Sequence, residues 1–189
     1  MITLLQQQSS QRPVIASDAW KIWSPETIAA ILSAPVENVR SQWPLVFSAL
    51  EEFGIADETV LTAAIATIGV ESGTFLPVRE AWWLDEDYRR RNFRYFPHYG
   101  RGLIQLTWRS NYEAAEQALG IVGLADNPDL ALQQDHSARI FAWFFASRPI
   151  PQAARRGDWV EVRRLVQGAD AGLRDFLSHI RNLQAARQE

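Results

Sequence analysis

At 189 residues, with 47% apolar and 22% charged side chains, the chain is long enough to bury one sizeable core and too apolar to be disordered. Cysteine is absent, which excludes a disulfide scaffold and thiol catalysis. The net charge of −3 hides an asymmetry: residues 1–88 carry 4 bases against 12 acids, a net of −8, whereas residues 139–189 carry 9 bases against 5 acids, a net of +4. A basic C-terminal third suits contact with an anionic polymer, and it equally suits a set of solvated helix faces.

Residues 1–24 are polar and aperiodic and read as an N-terminal extension to a single domain over 25–189. The start has no basic n-region with a long apolar stretch behind it, and no apolar run approaches 18 residues. The expectation is a chain made in the cytoplasm that inserts in no membrane. Ser24-Pro25-Glu26 supplies an N-cap, a proline at the first helical position and a first-turn acid, so a helix to about residue 33 is predicted. A second helix is expected over 36–53, with Pro44 a potential break and Gly54 its end. Asp57 caps a third, in which Val60, Leu61, Ala64, Ile65 and Ile68 recur at helical spacing and face the core.

Glu71 falls on that same apolar stripe, just before Ser72-Gly73 ends the helix. A carboxylate on a buried face is costly unless it is paired or protonated. Either it serves as an acid in catalysis, or it pairs with an arginine such as Arg79 or Arg101. Residues 74–100 have no helical period and are crowded with aromatics, as a long loop or small hairpin that carries Glu80. Its Arg89-Arg90-Arg91 run is a solvated surface or a glycan or phosphate contact. Gly100-Arg101-Gly102 marks a turn, and residues 103–107 a short β-like stretch with Gln105 and Thr107. Ser110 or Asn111 caps a helix to Leu119. Asn127-Pro128-Asp129 opens a longer one with Ala138, Phe141, Ala142 and Phe145 on its core stripe, broken by Pro149 and Pro151. Helices over 158–166 and 173–186 complete a mainly α fold with a small β element.

Two glutamates nine positions apart are a weak signal; the order ESG, VRE, YGRGLIQLTW and NY is a specific one. It resembles glycoside hydrolase family 19, the chitinases, and their relatives among phage endolysins, over residues 55–180. The resemblance implies a lysozyme-like helical domain with its β element beside the active-site cleft. It implies Glu71 as general acid and Glu80 as general base, acting by an inverting mechanism without a covalent intermediate. Gln105, Thr107, Asn111, Tyr112, Arg101 and Gln167 become the residues that position substrate and water. Three positions depart from the family pattern: Val70 stands where a histidine is frequent, Leu103 where proline follows GRG, and Gln167 where an asparagine contributes to the water site.

The short acid-to-base interval and the lack of cysteine turn the substrate expectation toward bacterial peptidoglycan, with chitin as the alternative. A wall-lytic enzyme of this kind acts after release, as a monomer, with no nucleic acid and no cofactor. His98, His136 and His179 are scattered without ligand spacing, so no metal is expected. Two other readings stay open: a lytic transglycosylase, which uses one acid, and a glycan-binding protein without catalysis.

Overall fold

The computed structural model describes residues 22–168 and 171–187, so most of the expected N-terminal extension lies outside the described residues. Trp23, at its end, belongs to the core: its indole N–H donates to the Leu183 carbonyl at 2.8 Å. Helix α1 (Pro25–Leu32) starts as its cap predicts, with Ser24 Oγ accepting from the Thr27 N–H. Helix α2 (Val36–Glu52) runs through Pro44 without a break. One missing backbone hydrogen bond is outweighed there by the buried face of Val39, Trp43, Val46, Phe47 and Leu50.

Helix α3 (Glu58–Ser72) is the axis of the fold. Every residue from Val60 to Ile68 is buried, so the expected stripe is in fact the whole circumference. Helices α1, α7 (Ile150–Arg155), α8 (Trp159–Gln167) and α9 (Leu173–Ala186) pack around it. At Gly69 a Cβ would stand 2.6 Å from Leu32 Cδ2, so glycine sets how closely α1 approaches α3. On the other side of the core, α2 packs on α6 (Gln134–Ala146).

The segment between α3 and α6 is more ordered than its composition suggests. Strand β1 (Val78–Arg79) pairs antiparallel with β2 (Arg101–Gly102), Val78 opposite Gly102 and Arg79 opposite Arg101. The β element thus precedes the expected stretch; residues 103–105 are a turn, closed by reciprocal backbone bonds between Arg101 and Leu106. Helix α4 (Glu86–Asn92) occupies part of the expected loop. Asp85 caps it, acids fill its first turn and arginines its last, as the helix dipole favours. Arg89 is buried rather than solvated, donating to the carbonyls of Glu80 and Ala81.

Helix α5 (Arg109–Leu119) begins at Arg109, before the expected Ser110 or Asn111 cap, and follows a positive φ of 75° at Trp108. The helix expected from Pro128 is two elements. A 3₁₀ turn (Pro128–Leu132) is separated from α6 by an extended Gln133, which turns Asp129 toward Arg79 and Arg101. Pro151, expected only to break a helix, sits in the first turn of α7, where a missing N–H is harmless. Among the described residues no helix is long and apolar enough to cross a membrane.

Candidate active site

The β-ribbon with its following turn, the end of α3 and the end of α8 enclose a cleft of about 510 Å³. Glu71, Glu80, Gln105, Thr107, Asn111 and Gln167 all line it.

Glu71 reaches the cleft from the last turn of α3, which Gly73 ends at φ 63°. Its Oε1 accepts from Arg163 Nη1 at 2.5 Å, and Gln167 Nε2 lies 2.7 and 2.9 Å from its two oxygens. Arg163 and Gln167 are four residues apart on α8 and therefore share a face. The two charged side chains are 2% and 4% exposed, so the pair is desolvated and each charge depends on the other. Arg163 is further fixed by donating from Nε to the Ala171 carbonyl at 2.7 Å. Gly172, at φ 69°, leaves room for that guanidinium: a Cβ there would lie 2.6 Å from Val70 Cγ1 and 3.0 Å from Arg163 Nη2. The partner expected among Arg79 and Arg101 is thus Arg163, because both of those bind Asp129, at 2.6 and 2.7 Å.

Glu80 is held differently. It follows β1, and Gly100 secures it twice: the Glu80 N–H donates to the Gly100 carbonyl at 2.7 Å, and the Gly100 N–H donates to Glu80 Oε2 at 2.9 Å. Any side chain at residue 100 would intrude here, since a Cβ would meet Gln105 Oε1 at 2.8 Å and Glu80 Oε2 at 3.2 Å. The Tyr95 hydroxyl donates to Glu80 Oε1 at 2.8 Å. Burial, and then the bond to Glu80, push the Tyr95 hydroxyl up to about 12, so it remains a donor at neutral pH.

Gln105 takes a left-handed conformation at φ 52° and spends its amide N–H groups on the Val78 and Gly102 carbonyls. Thr107 donates to the Gln105 carbonyl, and Asn111 to that of Thr107. These three residues form the wall between β1 and α5.

Two of the expected positioning residues lie elsewhere. Tyr112 is fully buried, its hydroxyl donating to the Tyr99 carbonyl at 3.0 Å. Arg101 is buried as well, bound to Asp129 and to the carbonyls of Pro97 and Tyr99. Both organise the ribbon rather than face the cleft. Arg163, Tyr95 and Trp108 were missed. The i, i+4 spacing from Arg163 to Gln167 could have revealed the first. Nothing local to Tyr95 points across the loop to Glu80. Among the described residues no group of three or more His, Asp or Glu is arranged to hold a metal ion.

Comparison with known proteins points to one family. The family described as Chitinase class I matches residues 68–161. That stretch includes Glu71 and Glu80 and stops short of Arg163 and Gln167. Endochitinase EP3 of Arabidopsis thaliana is 31% identical over 97 residues, 48% of this chain and 36% of that protein. Inactive chitinase-like protein 1 of Hevea brasiliensis is 43% identical over 56 residues, 29% of this chain and 18% of that one. The chain spans little more than a third of the length of the first curated relatives it matches. In three dimensions it resembles chitinase C from Streptomyces griseus HUT6037, with a TM-score of 0.67 at 20% identity, covering 88% of this chain and 77% of that one. That likeness establishes the helical fold.

Proposed function

The chain belongs to the chitinase class I family, glycoside hydrolase family 19, and from that premise we propose that it hydrolyses β-1,4 bonds in N-acetylglucosamine-containing polymers, bacterial peptidoglycan first among them. The observation that carries this reading is the pair of carboxylates lining one cleft, each held by a different set of donors.

Glu71 acts as general acid. Its Oε1 is taken by Arg163, so Oε2, which among the described residues meets only the Gln167 amide, is the oxygen that takes up a proton and passes it to the glycosidic oxygen. Glu80 acts as general base. Neutral donors, the Tyr95 hydroxyl and the Gly100 N–H, orient its two oxygens without cancelling its charge, and it takes a proton from the attacking water. Direct attack by that water inverts the anomeric carbon. Thr107 and Asn111 lie on the wall beside it and orient water and the N-acetyl group.

The short interval between the acids and the absence of cysteine favour peptidoglycan; the names of the relatives favour chitin as a second substrate. The test is digestion of purified peptidoglycan and of soluble chitin oligomers, with products identified by mass spectrometry. Glu71→Gln and Glu80→Gln should each lower the rate by about 10²–10⁴-fold. Anhydro products with a fully active Glu80→Gln would replace this mechanism by a one-acid transglycosylase. Glycan binding without cleavage by the wild type would leave a lectin.

A further inference from the structure

We propose that Arg94 is a specificity-determining residue, which recognises carboxylates carried by the glycan at the mouth of the cleft. The inference rests on the hydrolase reading and deepens it. Trp108 lines the cleft and is 43% exposed, yet its backbone is held at φ 75°, a conformation few non-glycine residues adopt. Strain of that kind persists only where the surroundings impose it. Here Tyr95, the residue that donates to Glu80, packs edge-on against the indole at 5.2 Å, and the Arg94 guanidinium lies over the ring at 5.0 Å.

A guanidinium drawn to the face of a ring by its charge keeps N–H groups for other partners. Those groups form the fork that pairs with a carboxylate through two parallel bonds. Among the neighbouring cations, Arg89 pairs with Glu86, Arg109 pairs with Glu113 and Asp126, and Arg90 lies over Phe96, so Arg94 is set apart by its place over Trp108, which lines the cleft. Arg94 is exposed, and among the described residues no carboxylate pairs with it. It is therefore an exposed charge over a cleft-lining ring, next in the chain to the tyrosine that donates to Glu80. A neutral chitin chain offers it hydrogen-bond acceptors but no charged partner. A glycan bearing lactyl-peptide stems offers carboxylates along its length.

The experiment measures calorimetric binding and initial hydrolysis rates for two oligomers of equal length. One is neutral poly-N-acetylglucosamine, the other alternating N-acetylglucosamine and N-acetylmuramic acid with its peptide stems. The proteins compared are the wild type, Arg94→Gln and Arg94→Lys, with folding verified by circular dichroism. We expect Arg94→Gln to lower the ratio of anionic to neutral affinity, and of the corresponding kcat/KM values, about tenfold, with Arg94→Lys recovering part of the loss. The wild-type preference should also weaken between low and physiological salt. Equal loss on both oligomers, or no change on either, would overturn the assignment. If the wild type binds both oligomers and cleaves neither, the hydrolase reading fails while the affinity ratio still decides the role of Arg94.

Discussion

The two carboxylates of the cleft are held by opposite kinds of scaffold. Glu71 stands at the end of a helix whose middle is wholly buried, and its restraint is a desolvated guanidinium from a second helix. Glu80 directly follows a short two-stranded ribbon, and its carboxylate is restrained by one backbone N–H and one tyrosine hydroxyl. The first arrangement ties the site to the stability of the core, because a buried charge without its partner is expensive. The second leaves the site dependent on neutral bonds, each of modest net worth. The acid and the base should therefore fail in different ways when their supports are removed.

The largest effect is expected at Arg163. Replacing it by methionine strands the Glu71 carboxylate, and loss of one partner of a buried pair typically costs about 3–5 kcal/mol. Urea denaturation should show that loss, and the double change Glu71→Gln with Arg163→Met should recover most of it. A single-variant cost below about 1 kcal/mol would mean that cleft water solvates Glu71 and that the contrast with Glu80 is illusory. Tyr95→Phe should do the reverse. Removing one neutral donor costs about 0.5–1.5 kcal/mol of stability, while kcat falls on the order of tenfold, about 1.4 kcal/mol in the barrier, as Glu80 loses its orientation. If Tyr95→Phe destabilises as much as Arg163→Met, the loop is part of the folding core rather than an adjustable wall.

The same contrast explains what could be read from sequence. The helical half was legible because its instructions are local: Ser24-Pro25, Asp57 and Asp158 set helix starts, and the boundaries of α9 follow from periodicity alone. Glu71 was placed correctly at the end of α3, but its partner lies 92 residues away and local rules named the wrong arginines. Around Glu80 the determinants are tertiary. Tyr95 reaches back fifteen residues across a loop, and Gly100 is glycine because two side chains occupy the space of its Cβ. The Asp85 cap and the acid-to-arginine order of α4 were local signals, masked by the surrounding aromatics. Tyr112 and Arg101 show the limit of motif transfer: residues within a characteristic run can serve the architecture instead of the substrate.

The smallest effect, and the one that separates the two scaffolds by pH, is expected at Asp129. It clamps Arg79 and Arg101, the facing residues of the ribbon that carries Glu80. Burial alone would raise its carboxyl, but the hydrogen bonds from Arg79 and Arg101 outweigh it and hold the group below the usual aspartate range. A carboxyl lowered on folding contributes stability above its unfolded value, about 3.9, and the contribution is lost as pH falls through the still lower folded value. The stability difference between the wild type and Asp129→Asn should therefore be constant from pH 5 upward and should close only below about pH 4. Its size should be small and reduced by salt, since the aspartate is nearly half exposed and solvent screens the clamp. Denaturation curves for the two proteins from pH 3 to pH 8 test this directly. If the gap closes between pH 5 and pH 7, the Asp129 carboxyl is raised on folding rather than lowered, and burial outweighs its two arginines. The support of Glu80 would then be sensitive to pH near neutrality, where the acid's guanidinium partner, charged throughout that range, is not.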